Sequence, residues 1–104
     1  MCSKMHAKYQ VEITPTAEND VETIWEYIAA DSPEAATRFV SELVSQAGKL
    51  ESFPEHCPLI LENEQLGTRY RHLIYGSYRT IFRITDKTVF VLRVIHGARV
   101  LELG

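Results

Sequence analysis

The sequence predicts an α+β fold in which two helices cover one mostly antiparallel sheet, with the element order β-α-α-β-β-β. Three observations support this prediction. Residues 70–99 are rich in Tyr, Ile, Phe, Val and Thr and contain two short turn signals, which is typical of a three-stranded antiparallel meander. Two segments with apolar residues at helical spacing precede the meander. Residues 9–13 alternate apolar and polar side chains, which predicts the N-terminal strand.

The first helix is predicted to begin after Thr14-Pro15, because threonine is a good N-cap and proline fits the first helical position. The apolar stripe that follows contains Ala17, Val21, Ile24, Trp25 and Ile28. We expect Trp25 to anchor the core, as a large apolar residue in such a stripe.

The second helix is predicted to begin after Asp31-Ser32-Pro33, with Ser32 as its cap. Gly48 is expected to end or fray this helix, because glycine costs about 1 kcal/mol relative to alanine. The short connection predicts an antiparallel helical hairpin whose inner face covers the sheet. Its apolar stripe consists of Ala36, Phe39, Val40, Leu43, Val44, Ala47 and Leu50.

Residues 53–67 lack periodicity and predict a surface loop, in which Leu59-Ile60-Leu61 packs one side against the core. In the meander, Gly76-Ser77 and Asp86-Lys87 are short enough for hairpin turns. Residues 89–95 hardly alternate, so we expect a central strand covered on both faces. Arg93 is the charged residue of that run and needs either a partner or an open end of the sheet.

The length of 104 residues predicts one domain, residues 1–104. No apolar run approaches a membrane span and the N-terminus lacks an apolar signal-peptide core, so we expect a cytoplasmic protein without membrane contact. The four histidines show no metal-ligand spacing, and no glycine-rich phosphate loop is present. We therefore expect no metal and no cofactor.

The charge is divided unevenly along the chain. Residues 1–66 hold 4 Lys/Arg and 12 Asp/Glu, whereas residues 67–104 hold 7 Lys/Arg and 2 Asp/Glu. Either these halves present two partner surfaces of opposite sign, or they compensate each other within one fold.

The arginines of the meander are the candidate binding residues. A strict two-residue turn at Gly76-Ser77 would place Arg69 and Arg71 on the face of the sheet opposite Arg79 and Arg83. A three-residue turn or a bulge would bring these four arginines to one face. The gathered arrangement would suit phosphate or carboxylate groups. The candidates are Arg69, Arg71, Arg79, Arg83 and Arg93, which we expect to lie on strands, and Arg99, just beyond the last strand.

The order of these elements and several local motifs resemble the RelE/ParE superfamily of bacterial toxins, and the ParE branch most closely. The resemblance extends over residues 9–99. Its motifs are Ile13-Thr14-Pro15, Ile24-Trp25-Glu26-Tyr27-Ile28-Ala29, Asp31-Ser32-Pro33, Tyr78-Arg79-Thr80-Ile81-Phe82-Arg83 and Val94-Ile95-His96-Gly97-Ala98-Arg99.

This resemblance implies the toxin of a type II toxin–antitoxin system, neutralised in a hetero-oligomer by a cognate ParD-like antitoxin. It also implies one of two mechanisms. RelE-type members cut messenger RNA on the ribosome, whereas ParE-type members poison DNA gyrase by binding, with growth arrest and plasmid stabilisation as consequences.

Cleavage of RNA needs a general base, a general acid and cations on the phosphate. The resemblance places cations at Arg79 and Arg99, and His96 is the nearby base, but residues 54–67 contain no lysine and the pI of the chain is near 5.8. These features favour gyrase inhibition through the arginines, without catalytic residues and without sequence-specific binding to nucleic acid. The alternatives are a RelE-like ribosome-dependent mRNA endonuclease that uses Arg79, His96 and Arg99, or a non-toxic member that only binds antitoxin.

Overall fold

The computed structural model describes residues 9–52 and 54–97, and within them it confirms the predicted class and element order. A third, short helix and two 3₁₀ turns in the segment before the meander were not predicted. The helices are α1 Pro15–Ala29, α2 Pro33–Gly48 and α3 Asn63–Leu66, and the strands are β1 Gln10–Ile13, β2 Arg71–Tyr75, β3 Tyr78–Thr85 and β4 Thr88–His96.

The four strands form one sheet in the order β1-β4-β3-β2. The pairs β2–β3 and β3–β4 are antiparallel, and β1 runs parallel to β4. The predicted central position of β4 is therefore confirmed. The pairing with β1 ends where Ile13 faces Val91, and β4 continues from there to His96.

Both predicted helix caps are present. The Thr14 hydroxyl accepts the Ala17 N–H at 3.3 Å and donates to the Val91 carbonyl at 2.7 Å, so this cap also fixes the start of α1 to the central strand. The Ser32 hydroxyl accepts the Ala35 N–H at 3.2 Å. The α2 helix ends at Gly48, as expected from the poor helix propensity of glycine.

The main core lies between the helices and one face of the sheet. Trp25 does not belong to it: its side chain follows Ile24 by about 100° around the helix and faces the seam between α1 and α2 instead of the sheet. The residue is 37% exposed, and its Nε1 donates to the Thr37 hydroxyl at 3.4 Å. The prediction that it anchors the core was wrong. The buried core residues are Ala17, Ile24, Leu43, Leu50, Phe82, Val89, Val91 and Val94.

A second, smaller cluster covers the other face of the sheet. It consists of Ile60, Ile81 and Ile95, which confirms that β4 is covered on both faces there. Ile60 packs inward as predicted for its segment, whereas Leu61 next to it is 92% exposed. None of the helices in the described part of the chain has the length and apolar character needed to cross a bilayer.

Candidate functional site

The hairpin between β2 and β3 decides how the arginines are distributed. Tyr75 pairs with Tyr78 across a two-residue turn in which Gly76 has a φ of 59°, and the register of this hairpin is unbroken from that turn to the Arg71–Phe82 pair. Arg71 pairs with Phe82, which faces the helices, whereas Arg79 and Arg83 alternate with Phe82 and face the other way. The strand arginines of this hairpin are therefore divided between the two faces, and they do not form one platform.

Arg79 is a buried member of an ion pair. It is 6% exposed, and both of its terminal nitrogens donate to the Glu62 carboxylate, which lies just before α3. Its Nη1 also lies 3.4 Å from His72 Nδ1. Burial lowers the pKa of His72, the Arg79 charge lowers that pKa further, and Glu62 opposes the shift. Arg79 thus holds the 54–67 segment against the sheet.

Two further arginines also have partners within the fold. Arg71 Nη1 donates to the Cys57 carbonyl at 2.6 Å and to the Glu55 carbonyl at 3.1 Å. Arg93 Nε donates to Asp20 Oδ2 at 2.7 Å, and this hydrogen bond raises the pKa of Arg93. The partner that the sequence required for Arg93 is therefore Asp20.

Arg69 and Arg83 are the exposed candidates among those that the structure describes, and Arg99 lies outside the described residues. Arg69 precedes β2 instead of lying on a strand, which differs from the sequence prediction. The Arg83 guanidinium carbon lies 4.6 Å from the centre of the Phe90 ring, and its Nη1 donates to the Thr85 hydroxyl at 2.7 Å. Arg83 is thus held in place by its neighbours while its charge stays in solvent.

His96 lies at the exposed end of β4, and its ring centre is 5.6 Å from that of Tyr78 in an edge-on arrangement. A pocket of about 310 Å³ lies beside it, with Tyr27 and Val94 in its wall. The register pairs His96 with Tyr78 and Arg79 with Ile95, so His96 and Arg79 project from opposite faces of the sheet.

General acid–base cleavage of RNA needs the base and the phosphate-binding cations around one scissile bond. Within residues 9–52 and 54–97, the two candidates that could supply them, His96 and Arg79, are separated by the sheet. Glu62 is bonded to Arg79, on the face of the sheet opposite His96, so Glu62 and His96 cannot act together as an acid–base pair. No group of three metal-binding side chains occurs in this part of the chain.

Sequence reasoning missed the two carboxylates that hold the arginines, Asp20 and Glu62. Asp20 belongs to a helix with several acidic residues, and its position relative to β4 depends on how α1 lies on the sheet. Glu62 follows a segment without periodicity, so no spacing rule links it to Arg79.

The geometry can be compared with known proteins. A family model described as the ParE toxin of the type II toxin–antitoxin system parDE matches residues 11–101. The alignment with a structure of the chromosomal ParDE system from P. aeruginosa covers 86% of this chain and 96% of that chain, with 23% sequence identity and a TM-score of 0.68. The alignment with a structure of the toxin–antitoxin complex RelBE2 from Mycobacterium tuberculosis covers 86% of this chain and 98% of that chain, with 30% sequence identity and a TM-score of 0.62. No curated protein sequence matches the chain.

Proposed function

The chain belongs to the ParE toxin family of type II toxin–antitoxin systems, and we propose that it is a toxin that inhibits DNA gyrase by binding. The position of Arg79 is the observation that favours binding over catalysis. This arginine is buried in an ion pair with Glu62, on the face of the sheet opposite His96. A protein that acts by contact needs exposed, pre-positioned side chains and no assembled acid–base set.

The proposed contact surface is the exposed part of the basic meander. Arg69 and Arg83 are its exposed arginines in the described residues, and we include Arg99 because the family resemblance places a cation there. We propose a structural role instead for Arg71, Arg79 and Arg93, because each is hydrogen-bonded to a neighbouring segment or helix. We propose that the toxin acts in the cytoplasm, where inhibition of gyrase would arrest growth.

The proposed partner in the resting state is a cognate ParD-like antitoxin. The two solved structures compared above come from toxin–antitoxin systems, a chromosomal ParDE system and the RelBE2 complex. We propose that the present chain likewise forms a hetero-oligomer with the product of a neighbouring gene. Co-purification of the two products from their native operon tests this partner, and a stable, harmless chain purified alone would contradict it.

The direct test of the target is a supercoiling assay. Purified toxin is incubated with gyrase, ATP and relaxed plasmid, and both supercoiling and trapped cleaved DNA are measured. We expect lost supercoiling and accumulated breaks. Intact supercoiling, from a preparation shown to arrest growth on expression, would overturn the proposed target, and the absence of growth arrest would favour a non-toxic member that only binds antitoxin.

The second candidate is ribosome-dependent cleavage of messenger RNA. It is favoured by the 30% identity to a chain of the RelBE2 complex and by the exposed position of His96 beside Tyr78. A ribosome-programmed cleavage assay with the His96→Ala variant tests it. Cleavage by the unaltered chain and loss of cleavage in the variant would replace gyrase binding as the mechanism.

A further inference from the structure

An apolar groove runs along the seam between α1 and α2, on the side of the hairpin that faces away from the sheet. Its wall contains Trp25, Val40 and Val44, with Thr37 and Ser41 between them, and its volume is about 310 Å³. Trp25 is 37% exposed and Val44 is 50% exposed, so two large apolar side chains contact water there. This groove is separate from the meander arginines and from the pocket at His96.

The rim of this groove is predominantly acidic, with one arginine, Arg38, which precedes Ser41 by three residues. Glu18 and Glu22 precede Trp25 by seven and three residues, which places all three on one side of α1. Glu34 precedes Thr37 by three residues on α2 in the same way. Along α1 and α2, all of whose residues are described, the exposed charged side chains are five glutamates and one arginine: Glu18, Glu22, Glu26, Glu34, Glu42 and Arg38.

We propose that this groove binds a basic amphipathic helix of a partner protein. An amphipathic helix lies in such a seam by inserting apolar residues spaced three and four apart, and here they would contact Trp25 and Val44. Lysine or arginine residues on either side of that apolar stripe would meet the glutamate rim, which makes the charge of the partner part of the recognition. The inference does not depend on gyrase as the target.

The test uses the intrinsic fluorescence of Trp25, because this is the single tryptophan of the chain. Two synthetic helical peptides of about 18 residues, or five turns, share the same leucine stripe. One carries lysines beside the stripe, and the other carries glutamates in their place. We expect the lysine peptide to shift the Trp25 emission to shorter wavelength and to bind at least about 10-fold more tightly than the glutamate peptide, with the difference shrinking as salt rises.

Matched variants locate the binding. Val44→Ser should weaken binding of the lysine peptide about 5-fold or more, whereas Leu61→Ser, which removes a more exposed apolar side chain elsewhere, should not. Val44→Thr preserves the shape of the side chain. It replaces Val44→Ser in this test if circular dichroism shows that the serine variant is unstable. Glu22→Gln should reduce the preference for the lysine peptide, and Glu64→Gln, on α3, should not.

Three results would overturn the proposal. The first is an unchanged Trp25 emission with the lysine peptide. The second is equal binding of both peptides, or an equal effect of Val44→Ser and Leu61→Ser, since either would mean that the groove and its rim do not determine recognition. The third is a Trp25 emission that changes with protein concentration in the absence of peptide, together with a dimer in sedimentation, because the occupant would then be a second copy of this chain.

Discussion

Arg93 and Asp20 form an ion pair that joins the first helix to the unpaired edge of the central strand. Beyond Val91, β4 no longer has β1 beside it, and Asp20 lies at this position. Asp20 Oδ2 accepts Arg93 Nε at 2.7 Å and the Val94 N–H at 3.0 Å, so one carboxylate satisfies both a side chain and a backbone group at the strand edge. The pair therefore fixes the position of α1 where the parallel pairing stops.

Removal of Asp20 should destabilise the fold. Asp20→Ala leaves Arg93 and the Val94 N–H without their acceptor, and hydrogen bonds to charged groups contribute about 1.5–3 kcal/mol. We expect the free energy of unfolding, measured in urea, to fall by about 2 kcal/mol. Glu22→Ala, an exposed substitution on the same helix, is the control. Equal unfolding midpoints for the two variants would show that the pair does not fix α1.

The Glu62–Arg79 pair should be more important still, because both side chains are nearly buried, at 11% and 7% exposure. Glu62→Gln leaves the buried guanidinium without its counter-charge, and breaking a buried pair costs about 3–5 kcal/mol. We expect a comparable fall in the free energy of unfolding and easier proteolysis of the 54–67 segment. Glu64→Gln, on the exposed side of α3, should change stability by less than about 0.5 kcal/mol.

Much of the fold was predictable because its signals are local. The two caps, Thr14 and Ser32, each precede a proline and an apolar stripe, and the structure confirms both. The run of apolar residues in β4 likewise predicted its central position. The position of Trp25 was predicted wrongly because α1 packs against α2 as well as against the sheet. An apolar stripe alone does not distinguish a residue that faces the sheet from one that faces the neighbouring helix.

The arrangement of the arginines was less predictable because it depends on a single turn. A shift of one residue at Gly76-Ser77 would have moved Arg71 to the face of Arg79 and Arg83, and the sequence alone permits both registers. The burial of Arg79 depends in addition on where the 54–67 segment folds back, which no periodicity encodes. Charge reversal at Arg79 should therefore unfold the protein, so this variant does not test target binding.

The stability should depend on pH through His72. Burial and the neighbouring Arg79 lower its pKa in the folded state, so below its ordinary value of about 6.5 the unfolded chain takes up a proton that the folded chain does not. The free energy of unfolding should consequently fall as the pH decreases from about 6.5 towards the folded-state pKa. Urea unfolding at several pH values should show this fall, and His72→Gln should make it shallower. His56→Gln, an exposed histidine, is the control, and an identical slope in both variants would contradict the assignment.

The last prediction separates a contact role of the basic surface from a structural one. Arg83 is exposed and its ring contact with Phe90 contributes about 0.5–1 kcal/mol, so Arg83→Glu should leave a folded protein with slightly lower stability. In the gyrase assay we expect the concentration for half-inhibition to rise about 10-fold, because the reversed charge now repels the same target surface. Arg38→Glu makes the same charge change on the exposed face of α2 and should leave inhibition unchanged. If both variants inhibit as well as the unaltered toxin, Arg83 does not contact the target; if both lose activity equally, net charge and not the meander surface determines inhibition.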